Sequence, residues 1–155
     1  NNRWGREYEG FSQDPQTTAE LAHYLIKGLQ GEPGETDGPL QFLGPGKVVA
    51  SAKHFIGDGA TEFGIDGGDT VLEQEELIAH QGLPYKAAIQ AGVQVMLVTK
   101  GMVNGEYVHG SHALLTDLLK DQWGFDGFLY SDRFGYTNLN GCAVDNCPTA
   151  INAGI

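Results

Sequence analysis

Apolar residues recur at helical spacing between Thr17 and Gln30, where Leu21, Ala22, Leu25, Ile26 and Leu29 form one stripe behind the start signal Asp14-Pro15. This pattern predicts an amphipathic helix. The next segment, Gly31 to Gly46, holds three prolines and several glycines and reads as a loop. Lys47 to Phe55, rich in small and β-branched residues, predicts a buried strand. Gly57 to Asp69 is glycine-rich and acidic and reads as a long surface loop. Glu73 to Gly92 carries Leu77, Ile78, Leu83, Ala87, Ala88 and Ile89, which predicts a helix in two pieces around Pro84. Val93-Gln-Val-Met-Leu-Val98 has no polar alternation, as expected of a parallel strand covered on both faces. His112 to Trp123 repeats the helical pattern through Leu114, Leu115, Leu118 and Leu119, with Ser111 as its cap. Phe128 to Ser131 is the third strand.

Helix, strand, helix, strand, helix, strand is the order that results, with strand starts roughly 35 to 45 residues apart. That alternation marks a parallel α/β fold, and both a barrel and an open sheet satisfy it. In either, functional groups gather beyond the carboxyl ends of the strands. Lys53-His54, Lys100 and Asp132 all fall there.

The chain has 155 residues and 41% hydrophobic content, enough for one core. Its 9 Lys+Arg against 20 Asp+Glu give a formal net charge of -11, which disfavours nucleic-acid phosphates and anionic membrane surfaces as partners. No run approaches the roughly 18 apolar residues of a membrane span. The polar opening Asn1-Asn-Arg-Trp4 reads as neither a signal peptide nor a translation start, so sequence is expected upstream. Cys142 and Cys147 lie five apart; a small disulfide loop and two free thiols are both compatible with that spacing.

Taken as bare chemistry, Asp132 at a strand end reads as a catalytic carboxylate, a cap or the ion-pair partner of Arg133. Lys53 and His54 would point to opposite faces of an ideal strand unless the strand is ending. The acids of Gly57-Asp-Gly59 and Asp66-Gly-Gly-Asp69 match no calcium loop and read as solvated turns, and no metal or cofactor is implied. His23, His80 and His112 read as surface or packing residues, whereas His109 is placed at the border of the cleft.

An ordered series of stretches nonetheless resembles one family closely. RWGREYEGFSQDP (Arg3 to Pro15), AKHFIGDG (Ala52 to Gly59), His109-Gly-Ser111, LTDLL (Leu115 to Leu119), GFDGF (Gly124 to Phe128) with Ser131-Asp132, and AINAG (Ala150 to Gly154) span almost the whole chain. Together they resemble the barrel domain of glycoside hydrolase family 3, the β-glucosidase and exo-β-glucanase family. The ending GCAVDNCP (Gly141 to Pro148) is most similar to the bacterial exo-1,3/1,4-β-glucanase branch.

The resemblance implies a partial (β/α)8 TIM-type barrel, with residues 1-155 a fragment of the catalytic barrel domain that lacks upstream strands, the last strands and a second domain. It implies a retaining exo-acting hydrolase of β-glucosides or β-glucan oligosaccharides, with Asp132 as nucleophile. Arg6, Lys53 and His54 match the family's donors to the terminal sugar, Asp58 matches a residue that orders the loop, and the acid/base glutamate is expected in the following domain. A periplasmic or secreted bacterial location is also implied. Two positions depart from the family pattern: Arg133 stands where an aromatic residue usually stacks on the leaving-group side, and Lys100 replaces the aromatic that normally borders the nucleophile. These departures carry an alternative expectation, a carbohydrate-binding relative impaired in catalysis, and the partial barrel carries another, a piece that does not fold alone.

Overall fold

The structure, a computed structural model, describes residues 3–155; Asn1 and Asn2 of the polar opening stretch lie outside the described residues. Helix α1 runs from Pro15 to Gln30. Asp14 caps it, its carboxylate accepting from the backbone N–H groups of Gln16 and Thr17, with Pro15 in the first turn where its missing N–H costs nothing. At the other end Gln30 is fully buried. Its Oε1 accepts from Ala50 N–H at 2.8 Å and its Nε2 donates to the Gly92 carbonyl at 2.7 Å, tying the helix to the entrances of two strands.

Strands β1 (Ser51–Phe55), β3 (Val95–Val98) and β6 (Phe128–Ser131) form one parallel sheet in the order β1-β3-β6. Ser51 pairs with Val95 and Val95 with Phe128, so the three carboxyl ends finish level. Helical segments cover one face: the π-wound turns Leu77–Gly82 that continue α2 (Gln74–Glu76), then α3 (Leu83–Gln90) and the π-wound helix Ala113–Gln122. Phe55, Met96, Val98 and Leu129 pack there against Leu77, Ala88, Leu115 and Leu119. Burying each such side chain contributes roughly 1.5 to 3 kcal/mol. The chain is thus the expected α/β alternation of parallel strands and helices.

Several expectations need correction. The first strand begins at Ser51 rather than Lys47, because Val48 and Val49 are more than half exposed and Val48 N–H donates to the Leu29 carbonyl instead of a strand. Strand β3 is covered on one face only: Met96 and Val98 are buried, whereas Val95 and Leu97 are half-buried on the face that also carries Phe128 and Tyr130. Ser111 does not cap its helix with its side chain; it is buried, and its carbonyl accepts from Leu115 N–H. A small second sheet, β2 (Asp69–Thr70), β4 (Met102–Val103) and β5 (Glu106–Tyr107), was not anticipated, and neither was α4 (Pro148–Ala153). Cys142 and Cys147 are joined as a disulfide. No helix among the described residues is long and apolar enough to cross a membrane.

Candidate active site

Strand pairing delivers the site. Thr99 N–H donates to the Phe55 carbonyl at 2.7 Å and Asp132 N–H to the Val98 carbonyl at 3.3 Å, so the residues leaving β1, β3 and β6 emerge side by side at one rim. Two strand spacings, about 10 Å, separate the end of β1 from the end of β6.

At the β1 end the pairing with β3 shifts register between Lys53 and Phe55. Both Lys53 and His54 reach one polar cluster, in place of the opposite faces of an ideal strand. Lys53 Nζ contacts Glu9 Oε2 at 2.5 Å, and Glu9 also takes Arg6 in a two-pronged pair, Nε to Oε1 at 2.7 Å and Nη2 to Oε2 at 3.0 Å. Arg6 Nη1 reaches Asp66 at 3.2 Å, and Asp66 in turn accepts from Lys100 Nζ at 2.6 Å. The result is an alternating chain of charge, Lys53, Glu9, Arg6, Asp66, Lys100. The hydrogen bond from Arg6, followed by that from Lys53, holds the Glu9 carboxyl down at about 2. Asp66 is also held below the usual carboxylate range, first by Lys100 and then by Arg6. Arg6 is pushed above its ordinary value, chiefly by Glu9.

His54 is buried behind this cluster. Arg6 has only donors, so its Nη2, 3.1 Å from His54 Nε2, makes that nitrogen an acceptor and puts the ring proton on Nδ1. Nδ1 lies 2.9 Å from Asp58 Oδ2, close but not well aligned, while Asp58 Oδ1 accepts from the Thr99 hydroxyl at 2.9 Å. Asp58 is therefore no solvated turn residue. It is 6% exposed and faces inward, bridging β1 to β3. Beside this cluster, between α1, β1 and α3, opens a cavity of about 840 Å³ whose lining includes Trp4, Glu9, Lys53, His54, Asp58 and Tyr85.

At the β6 end Asp132 is half-buried. Its Oδ1 accepts from the Arg133 backbone N–H at 2.6 Å, while the Arg133 guanidinium lies over the Phe134 ring, 5.6 Å from its centroid. The two are not an ion pair. Beneath them His109 is fully buried and shares a 2.8 Å hydrogen bond with Ser131 Oγ, which donates to the Asp132 carbonyl at 2.6 Å. Burial pushes the His109 ring down to about 4, against the opposing pull of the Thr99 backbone and the Asp132 charge. Gly135 makes room for that ring: a Cβ there would sit 2.3 Å from His109 Cε1.

Lys100 does not settle on Asp132. Its ammonium pairs with Asp66, and its stem crosses Gly67, where a Cβ would meet Lys100 Cε at 2.8 Å. Glu9, Asp66, Thr99 and Ser131 are the site residues that sequence reasoning left without a role there, and His109, expected at the border of the cleft, is instead fully buried beneath Asp132. The spacing of Glu9 three residues after Arg6 was the available signal for the first.

The sequence matches the model of the glycosyl hydrolase family 3 N-terminal domain over residues 1–155. The chain belongs to glycosyl hydrolase family 3. It is 32% identical to the periplasmic beta-glucosidase of Salmonella typhimurium over 99% of its own length and 20% of that protein's. With a beta-xylosidase of Formosa agariphila it shares 36% identity over 84% of the chain and 17% of the relative. The crystal structure of a Q683A mutant of the exo-1,3/1,4-beta-glucanase from a Pseudoalteromonas species superposes with a TM-score of 0.94, at 41% identity, across 100% of this chain and 24% of that one. The chain thus spans about a fifth of the length of the family members it matches. Its three parallel strands are part of the barrel seen in such enzymes, which accounts for the half-uncovered sheet face bearing Val95, Leu97, Phe128 and Tyr130.

Proposed function

We propose that the protein is a retaining, exo-acting β-glucosidase or β-glucanase that releases terminal β-D-glucosyl residues through a covalent glycosyl-enzyme on Asp132. The observation that carries this reading is the level ending of the strands, which sets a half-buried carboxylate across a rim from clustered donors, Arg6, Lys53 and His54. Asp132 attacks the anomeric carbon as the glycosidic bond breaks and the leaving oxygen takes a proton from a second carboxyl group; water, losing a proton to that group, then displaces Asp132. That second group belongs to a domain outside residues 1–155 and stands roughly 5 to 5.5 Å from Asp132 in the assembled enzyme.

Each residue around the rim has a task in this scheme. Lys53 and Arg6, oriented by Glu9 and Asp66, donate to hydroxyls of the terminal sugar, and hydrogen bonds from charged donors are the stronger kind. His54 offers Nε2 to a hydroxyl in competition with Arg6, and Asp58 holds the ring from behind. The substrate is a β-glucoside or β-glucan oligosaccharide; the glucosidase and glucanase relatives favour glucose over the xylose of the xylosidase relative. A periplasmic or secreted location fits the periplasmic relative and the Cys142–Cys147 disulfide.

Asp132→Asn in the full-length protein tests the reading. Hydrolysis of nitrophenyl β-glucoside is expected to be lost, and retained turnover would sink it. The second reading, a sugar-binding relative without turnover, is favoured by Arg133 at the leaving-group side. It predicts calorimetric binding of glucose or laminaribiose with no hydrolysis by the wild-type protein.

A further inference from the structure

Around the rim, one cation differs from the rest in what neutralises it. Lys53 is paired with Glu9, Arg6 with Glu9 and Asp66, and Lys100 with Asp66. Arg133 is exposed, rests on the Phe134 ring and has no carboxylate partner among the described residues. Its position relative to the reaction follows from the strand order. The donors that hold the sugar sit on or against β1, two strands away from Asp132. The sugar therefore lies on the β1 side of Asp132, and its leaving group, departing opposite the attacking carboxylate, points out of the rim, whose β6 edge is bordered by exposed Arg133.

Residues 1–155 carry a formal net charge of -11, one unit of it on Asp132 at the reacting centre. An anionic leaving group would be repelled there unless a cation faced it. An unpaired guanidinium supplies that cation together with paired N–H donors that match a planar oxyanion, and the ring beneath it steadies its plane. We propose that Arg133 makes the leaving-group position selective for β-glucosides whose aglycone or adjoining sugar bears an oxyanion, a carboxylate or a sulfonate-like group. The inference rests on the glycosidase reading and adds to it the class of leaving group.

The experiment compares kcat/KM of the full-length protein for 4-carboxyphenyl β-D-glucoside with that for its methyl ester, in the wild type, Arg133→Gln and Arg133→Lys. The ratio within each protein cancels the damage a substitution does to both substrates. The carboxylate-to-ester ratio should fall roughly tenfold in Arg133→Gln, the scale of one charge-assisted hydrogen bond. Arg133→Lys should keep part of it, and added salt should shrink the wild-type ratio. A 4-sulfophenyl glucoside falling in parallel supports oxyanions in general, and a fall confined to the carboxylate narrows the class to carboxylates. A ratio in Arg133→Gln within twofold of wild type overturns the inference. Failure of the wild type to hydrolyse either glucoside overturns the glycosidase reading itself, whereas ester hydrolysis with an unmoved ratio overturns only the role of Arg133.

Discussion

Glu9→Gln is the perturbation that reports most on how the proposed sugar donors are held. The carboxylate accepts three charged contacts: two from Arg6, at 2.7 and 3.0 Å, and one from Lys53 at 2.5 Å. A glutamine keeps one acceptor oxygen. Its amide would face either Arg6 or Lys53 with donor against donor, so Lys53 loses its carboxylate partner while Arg6 falls back on Asp66 at 3.2 Å. The side chains of Arg6 and Glu9 are 24% and 19% exposed, and that of Lys53 is 45% exposed. The lost contacts are thus neither fully screened nor fully buried. Placing them between exposed pairs, at under about 1 kcal/mol, and buried charge-assisted bonds, at roughly 1.5 to 3, gives about 1 to 2 kcal/mol in total. Expressed in sugar binding, that raises KM roughly tenfold. The assay is steady-state hydrolysis of nitrophenyl β-glucoside by the full-length protein, with KM and kcat separated. The pH dependence has a definite sign: with the folded carboxyl held at about 2, the contribution of Glu9 is complete above its ordinary value of 4.5 and is lost as pH falls toward 2. A glutamine variant with KM within twofold of wild type would refute the reasoning, as would a KM that climbs between pH 7 and 5 in the wild type but not in the glutamine variant.

Asp58→Ala leaves the buried groups of His54 and Thr99 without their shared carboxylate and should destabilise the fold by about 3 kcal/mol, read as a shift in the denaturant midpoint. Gly135→Ala drives a Cβ into the His109 ring and should cost about 1 to 3 kcal/mol, with a fall in kcat because Ser131 and Asp132 ride on that ring. For His109 itself, an unfolded imidazole takes its proton near 6.5 and the folded one only at about 4. Stability should therefore decline as pH drops between those values, and His109→Gln should flatten that part of the profile in thermal unfolding.

Much of this architecture was legible in the chain itself, for reasons that individual residues make plain. Phe128 to Ser131 reads as a strand because an apolar run stops abruptly at charge, and the stop is the rim where Asp132 emerges. The α1 boundaries are written in Asp14-Pro15, a cap followed by a residue that suits only a first turn. Other features depend on partners far away in sequence. Val48 and Val49 have strand-like composition, yet pairing rather than propensity decides where β1 starts. Two-residue strands such as Met102–Val103 are shorter than any periodicity can show. In a chain with 20 acidic residues, nothing local separates Asp66 from solvated acids, and only the fold brings Arg6 and Lys100 to it; for Glu9 the i,i+3 spacing from Arg6 was a local hint, but its pairing with Lys53 was not. Asp58 was read both as a solvated turn acid and as a loop-ordering residue, and its burial against His54 and Thr99 corrects the first. The family resemblance placed Lys100 beside Asp132, but the absent side chain at Gly67 gives its stem a path to Asp66. The spacing of Cys142 and Cys147 permitted a disulfide without requiring one.

The central claim is that Asp132 becomes covalently linked to the sugar. Incubating the full-length protein with a 2-deoxy-2-fluoro β-glucosyl fluoride, digesting it and weighing the peptides tests this directly, because the fluorine slows hydrolysis of the glycosyl-enzyme and lets it accumulate. The account predicts a fluoroglucosyl mass on the peptide containing Ser131-Asp132-Arg133, with fragmentation placing it on Asp132. A label on any other residue would contradict it.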